Sequence, residues 1–212
     1  DQISRERNAL AMEMRDGLKR GEFELFYQQQ NDTMTREVVG FEVLLRWKHP
    51  VRGYIPPMEF IPIAERNGFI LELGEWVLRS ACAEAATWTN PLRIAVNVAP
   101  QQLSDHRLPQ IVHEILLQTG LPASRLEIEI TESGIIADHQ HALHAIRRLK
   151  ALGIKVAMDD YGTGYSSLST LQSFPFDKIK IDRAFVDGVV TNKQSAAIVR
   201  STLILAASLD IP

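Results

Sequence analysis

The chain has 212 residues, of which 45% are hydrophobic, and a formal net charge of −3. This length and composition support one sizeable core and give no sign of a second core. The slight negative charge argues against a nucleic-acid binder, which usually carries a basic face, so no DNA partner is expected. A single cysteine provides no disulfide framework, and no apolar run reaches the ~20 residues that cross a bilayer. We therefore expect a cytoplasmic domain, with membrane attachment of a longer parent protein left open.

The predicted elements begin with an amphipathic helix that ends at Gly21. Its charge-dense start is typical of a connector from a preceding domain, so residues 1–20 are assigned to a connector helix and residues 21–212 to the domain itself. The strands FELFYQQQ and VVGFEVLLRW follow, joined by the turn NDTMTRE as an antiparallel hairpin. Strands and helices then alternate. The strands are RIAVNV, LEIEIT, KVAMDD and KIKID, and the helices are LGEWVLRSACAEAATW, LPQIVHEILLQTG, HALHAIRRLKALG, SSLSTLQS and QSAAIVRSTLILAASL.

This alternation predicts an α/β fold in which helices cover a parallel sheet. In LEIEIT, three apolar residues share one face and leave Glu127 and Glu129 on the other, because strand side chains alternate. Several strands carry such polar groups near their carboxyl ends, where TIM barrels have their sites. We therefore predict a TIM-like (β/α)8 barrel with an antiparallel first strand. Six strands cannot close this barrel, so the last strands are expected in a part of the protein that the sequence lacks.

The strand ends bring candidate metal ligands to one rim of the barrel: Glu42, Asn97, Glu129, Asp159 and Asp160. Carboxylate and amide oxygens suit Mg²⁺ or Mn²⁺. The adjacent Asp159 and Asp160 can bridge two ions ~3.5–4 Å apart, an arrangement used for in-line attack on phosphodiesters. Lys180 on the same face and Arg46 close behind are then expected to contact phosphate oxygens or a metal-activated water.

Each of these features has a plainer interpretation when taken alone. Glu42 by itself is more typical of a structural ion pair, and Asn97 of a turn or a cap. The Asp159–Asp160 pair before Gly-Thr-Gly is typical of a strand-to-loop turn with a helix cap. Lys180 alone could extend to solvent. Only their joint placement at matching strand ends favours a metal site.

Six segments, in this order along the chain, resemble the motifs of the EAL family of cyclic di-GMP phosphodiesterases, named for a Glu-Ala-Leu signature. The segments are GFEVLLRWKHP, PPMEFIPIAERNG, VNVAPQQL, EIEITES, MDDYGTGYSSL and FDKIKIDRAFV. The resemblance runs from about Phe23 to the last residue. It implies a domain that hydrolyses one phosphodiester bond of cyclic di-GMP, giving linear pGpG, with two Mg²⁺ or Mn²⁺ ions.

The resemblance also implies a role for each matching residue. One metal would be held by Glu42, Asn97, Glu129 and Asp159. Asp159 and Asp160 would reach the second metal, and Lys180 would contact the attacking water. Members of the family are often homodimers and often follow a sensory or diguanylate-cyclase-like domain, so both kinds of partner are expected.

Three further roles follow from the same resemblance. Glu132 would hold the Asp-Asp-Tyr-Gly-Thr-Gly loop in its working shape, Arg46 would bind a substrate phosphate, and Gln28 would help to hold a guanine. Ala99 departs from the family, which usually has serine there, and loss of that hydroxyl is expected to loosen the support of Asn97.

Two other departures concern positions beside the site and beyond the sequence. Val43 replaces the signature alanine and faces away from the site, so little effect is expected. A later glutamate of the family lies beyond the last residue.

The alternatives to an active phosphodiesterase are a catalytically inactive EAL domain that acts as a cyclic di-GMP receptor or protein-interaction module, and a TIM-like barrel of other chemistry.

Overall fold

The computed structural model describes residues 2–162 and 168–211, so Thr163 to Ser167 of the predicted loop and short helix lie outside the described residues. The helices are α1 (Gln2–Lys19), α2 (Pro57–Arg66), α3 (Ile70–Ala86), α4 (Pro100–Ser104), α5 (Leu108–Thr119), α6 (Glu132–Ala137), α7 (His139–Ala151), α8 (Leu168–Ser173), α9 (Arg183–Asp187) and α10 (Lys193–Ser208). The strands are β1 (Phe23–Asn31), β2 (Val38–His49), β3 (Gly53–Ile55), β4 (Arg93–Val98), β5 (Leu126–Thr131), β6 (Lys155–Tyr161) and β7 (Lys178–Ile181). No helix in the described ranges is both long and apolar enough to cross a membrane.

The seven strands of the described residues form one sheet in the order β1-β2-β4-β5-β6-β7, with β3 paired antiparallel to β2. β1 pairs antiparallel with β2, which confirms the predicted hairpin, and β4 to β7 each join the preceding strand of this order in parallel. Because sequential parallel strands are neighbours and helices connect them, the carboxyl ends of β2, β4, β5, β6 and β7 meet at one rim. This is the arrangement of a TIM-like barrel.

Strand β5 is buried on both of its faces, except at Thr131. Leu126, Ile128 and Ile130 of β5 are each 0% exposed and belong to the core that helices α3, α5 and α7 share with the sheet. Glu127 and Glu129 lie on the opposite, inner face, and they too are buried. The alternation predicted for this strand is therefore confirmed, and it delivers buried carboxylates to the inside of the barrel.

A second apolar cluster lies beneath the end of β2. Leu10 and Met14 of α1 are buried there against Trp47 and Phe60. The indole Nε1 of Trp47 donates a hydrogen bond of 3.0 Å to the carboxylate of Glu22, directly after α1. The later half of α1 therefore packs on the domain, while the assignment of residues 1–20 to a connector stays a prediction.

Several elements of the structure were not predicted from the sequence. Strand β3 and helices α2, α4, α6 and α9 were not predicted. The strand and helices α4, α6 and α9 have only three to six residues, which carry little hydrophobic period, and α2 has ten residues with Pro62 inside it. The turn before β3 is stabilised by hydrogen bonds to the side chain of His49. The Nδ1 atom of His49 accepts hydrogen bonds from the backbone N–H groups of Val51 and Arg52, both at 3.2 Å, which closes the turn that leads into β3.

Candidate active site

Three carboxylates converge on the inner face of the sheet. Glu42 on β2, Glu129 on β5 and Asp159 on β6 each offer an oxygen atom, and these atoms lie within 4.8 Å of one another. The strand register explains the meeting, because Glu129 is level with Asn97 and Asp159 is level with Thr131, the next inward residue after Glu129. Residues far apart in sequence thus form one acidic group at the carboxyl ends of neighbouring strands.

The ammonium group of Lys180 lies among these carboxylates. Its Nζ atom is 2.6 Å from Glu129 Oε2, 3.3 Å from Glu42 Oε2 and 3.4 Å from Asp159 Oδ1. The lysine reaches Glu129 by crossing β6, where Ala157 is level with Glu129 and leaves room above the strand. Lys178 makes a similar crossing to Glu127, at 2.7 Å, one layer further from the rim.

Burial and charge act against each other at this site. Burial is the larger influence on Glu129 and raises its pKa to about 7, although Lys180 opposes the shift and the nearby carboxylates support it. Burial would lower the pKa of Lys180, but the charges of Glu129, Asp159 and Glu42 outweigh it and raise that pKa. The lysine therefore stays protonated, and its positive charge offsets the repulsion of the carboxylates.

The donor atoms fit a hard divalent cation. Oε1 of Glu129 is buried and has no hydrogen-bond partner among the described residues. Such an oxygen is costly to bury without a partner, and a cation would satisfy it. The amide Nδ2 of Asn97 donates a hydrogen bond of 3.0 Å to Glu42 Oε1, which holds the amide group beside the acidic group.

Asp160 is set apart from the other carboxylates by its backbone. It has φ = 55°, in the left-handed region that is uncommon for residues other than glycine, and its N–H donates a hydrogen bond to the side chain of Asp159. Burial raises the pKa of Asp160, and so do the charges of Asp159 and Asp182. No role was assigned to Asp182 from the sequence, since only the folded chain brings it beside Asp160.

Glu132 begins α6 at the carboxyl end of β5 and is 3% exposed. Both of its carboxylate oxygens are buried without a hydrogen-bond partner in the part of the chain that the structure describes. Burial raises the pKa of Tyr161, and the charge of Glu132 adds to the shift, so this carboxylate lies near the end of β6. The loop that Glu132 is expected to hold includes Thr163 and Gly164, which are outside the described residues.

Arg46 and Asn97 line a cleft of about 480 Å³ that also adjoins Thr131 and Ser133. A cleft of this size is in the range that binds small molecules. Arg46 is half-buried, and its guanidinium donates a hydrogen bond of 2.9 Å to the carbonyl of Leu45. Gln28 lies exposed on β1, directly opposite Glu42 in the hairpin register.

Gln102 is a supporting residue that the sequence did not reveal. It is 5% exposed, and its Oε1 accepts a hydrogen bond of 3.0 Å from the backbone N–H of Ala99. The segment after Asn97 is therefore held by a side chain from α4, although Ala99 lacks the hydroxyl that the family usually has. The only sequence signal for this contact was a glutamine a few residues after the end of a strand.

Together, the parallel strands and the acidic rim define a TIM-like α/β domain with a candidate metal centre. The EAL domain family matches residues 11–212, and the chain belongs to this family. The fold class is thereby confirmed as the TIM-like EAL fold.

Three comparisons place the chain among known proteins. It is 58% identical over 212 residues to an uncharacterized signaling protein of Caulobacter vibrioides, covering 100% of this chain and 26% of that protein. It is 36% identical to the bifunctional diguanylate cyclase/cyclic di-GMP phosphodiesterase MucR of Pseudomonas aeruginosa, covering 98% of this chain and 31% of MucR. The solved structure of the MucR phosphodiesterase in complex with c-di-GMP has a TM-score of 0.91 at 36% identity, covering 96% of this chain and 84% of that one. The chain thus spans about a quarter to a third of the length of these curated relatives.

Proposed function

We propose that this domain hydrolyses one phosphodiester bond of cyclic di-GMP to give linear pGpG, with two Mg²⁺ or Mn²⁺ ions. The observation that carries the proposal is the meeting of Glu42, Glu129 and Asp159 around the ammonium group of Lys180. MucR, a relative named as a cyclic di-GMP phosphodiesterase and solved with c-di-GMP, supports this substrate. Hydrolysis by this domain would lower the level of the nucleotide.

The metal ligands in this proposal are Glu42, Asn97, Glu129, Asp159 and Asp160. Bound ions would supply positive charge that lowers the pKa of a water molecule and stabilises the phosphate oxygens in the transition state. The buried, unpartnered oxygen of Glu129 supports this assignment. Asp159 and Asp182 lie close to Asp160. Because three adjacent carboxylates repel one another, this arrangement supports a second cation close to the first.

Lys180 is proposed to bind the attacking water and orient it toward phosphorus. Its ammonium group stays protonated beside the carboxylates and can donate three hydrogen bonds. A donor at this position stabilises negative charge that develops on oxygen during attack. The side chain of Lys180 is 21% exposed, so the surrounding carboxylates do not enclose it fully.

Substrate binding is assigned to Arg46, which lines the cleft, and to Gln28, which lies opposite Glu42 in the hairpin. Arg46 would contact a phosphate, and Gln28 would contact a guanine from the first strand. Glu132 would hold the loop after Asp160, in agreement with its two buried carboxylate oxygens. A homodimer and an upstream sensory or diguanylate-cyclase-like domain belong to the same proposal. The two activities in the name of MucR support the upstream cyclase-like domain.

The test is to incubate the full-length protein with cyclic di-GMP and Mn²⁺ or Mg²⁺ and to separate the products by chromatography. We expect pGpG from the parent protein and no product after addition of a chelator or in Lys180→Ala. The matched control is Lys155→Ala, which removes an exposed lysine at the opposite end of β6 and should keep parental turnover.

The alternative is a catalytically inactive receptor or interaction module. Intact nucleotide with every variant, together with binding of cyclic di-GMP to the parent, would support the receptor. Parental turnover in Lys180→Ala would refute the role of this lysine. If the protein neither hydrolyses nor binds cyclic di-GMP, the remaining interpretation is a TIM-like barrel of other chemistry.

A further inference from the structure

Two exposed aromatic side chains lie on the inner face at the rim. Phe26 on β1 is 45% exposed and Tyr54 on β3 is 52% exposed. Phe26 is level with Leu44 in the hairpin, and alternation along the strands puts it on the same face as Glu42 and Arg46. These rings therefore border the candidate active site and lie outside the apolar core.

The contacts of both rings hold them in place. Their centroids are 6.1 Å apart with an interplanar angle of 71°, an edge-to-face arrangement. The Tyr54 hydroxyl donates a hydrogen bond to the carboxylate of Glu24, and β3 pairs Tyr54 with Lys48 of β2. The contact with Tyr54 thus supports the orientation of the Phe26 ring, which remains exposed.

A cation lies on the same ring. The guanidinium carbon of Arg46 is 5.4 Å from the centroid of Phe26, within the range of a cation–π contact. Arg46 also lines the cleft next to Asn97. An aromatic ring and a phosphate-binding group in direct contact match a ligand that joins a planar base to a phosphate.

The spacing along the strand agrees with such a ligand. Phe26 is two residues from Gln28, which is about 7 Å along an extended strand, and Gln28 is opposite Glu42. Phe26 therefore lies nearer the rim than the acidic group, at a separation comparable to that between the base and the phosphate of one nucleotide.

We propose that Phe26, supported by Tyr54, is a stacking surface for one base of the cyclic dinucleotide whose phosphate contacts Arg46. This assignment rests on the proposed function and adds a binding residue to it. Every base has a π-face, so the ring contributes affinity without selecting the base. Selection of guanine is left to polar groups such as Gln28.

The experiment compares steady-state kinetics of the full-length parent with Phe26→Leu and Phe26→Trp. Leucine keeps apolar area but removes the π-face, whereas tryptophan restores it. Loss of stacking should raise KM by about 5- to 100-fold with little change in kcat, because stacking on a base remote from the reacting bond binds ground state and transition state alike. Tryptophan should return KM to near the parental value.

The matched control is Phe41→Leu, the same substitution on the outer face of β2, where Phe41 packs against Trp88. We expect its KM to equal that of the parent. A parental KM in Phe26→Leu, an equal rise in Phe41→Leu, or no rescue by tryptophan would overturn the stacking surface while leaving the phosphodiesterase intact. If the parent binds cyclic di-GMP without turnover, the dissociation constant replaces KM; if it does neither, the proposed function and this assignment both fail.

Discussion

At the scale of single residues, Glu127 and Glu129 show how position decides the role of identical side chains. Both are buried glutamates on the inner face of β5, and each contacts a lysine of β7. Glu127 pairs with Lys178 through both of its oxygens. Glu129 instead uses one oxygen for Lys180 and keeps the other free of partners among the described residues.

This difference gives a paired prediction. Glu129→Gln should lower hydrolysis of cyclic di-GMP by more than about 100-fold, since charge stabilisation at a reacting centre is commonly worth 10²–10³ in rate. Glu127→Gln, two residues earlier on the same strand, should keep activity within a few-fold. Product formation at saturating substrate and metal measures both. Equal losses in the two variants would mean that Glu129 has only a structural role.

At the scale of elements, the close approach of α3 and α4 depends on Gly74. An added Cβ at this position would lie 2.0 Å from Nε2 of Gln102, whose side chain is buried and holds the N–H of Ala99. Glycine within a helix is ordinarily unfavourable compared with alanine. Its presence in α3 is explained by this contact, which supports the segment after Asn97.

We therefore expect Gly74→Ala to destabilise the domain by about 1–3 kcal/mol, as in other overpacked sites, instead of stabilising the helix. Urea unfolding measures the change. The same substitution made in a Gln102→Ala background should cost less, because the colliding amide is gone. If the cost is the same in both backgrounds, the contact between Gly74 and Gln102 does not limit the packing.

At the scale of the whole molecule, α1 joins the domain through the second apolar cluster. Met14 is 0% exposed beneath the end of β2, whereas Met12 on the same helix is 73% exposed. The guanidinium of Arg15 lies 5.0 Å from the ring centroid of Phe69 and forms an ion pair with Glu72, so charged groups border the same contact. Met12 and Met14 are uncharged, so substituting them tests how the packing of α1 contributes to stability without changing the charge of the helix.

Met14→Ala should lower the free energy of unfolding by about 2–5 kcal/mol, the usual cost of truncating a buried large side chain. Met12→Ala should change it by less than about 0.5 kcal/mol, as expected of an exposed position. Denaturant unfolding of the two variants measures both changes in the free energy of unfolding. A cost for Met14→Ala as small as that for Met12→Ala would indicate that α1 acts as a connector that adds nothing to the core.

The order of elements and the face of each site residue could be predicted from the sequence. Strand side chains alternate strictly, so the pattern in β5 and β7 assigned Glu129 and Lys180 to the inner face before any contact was known. Short elements such as β3 and α4 were not predicted, since a few residues carry no period. Gln102 and Tyr54, which lie in or beside those elements, were missed for the same reason.

The sequence by itself determined the fold class, the family and the residues available at the rim, because these follow from local periodicity and from motifs in fixed order. Only the tertiary structure decided which groups meet. Lys180 and Glu129 are 51 residues apart in sequence, yet their side chains are 2.6 Å apart. That distance depends on strand register, on the small Ala157 between them and on the packing of helices behind the sheet. These are long-range interactions, and no stretch of the chain encodes them alone.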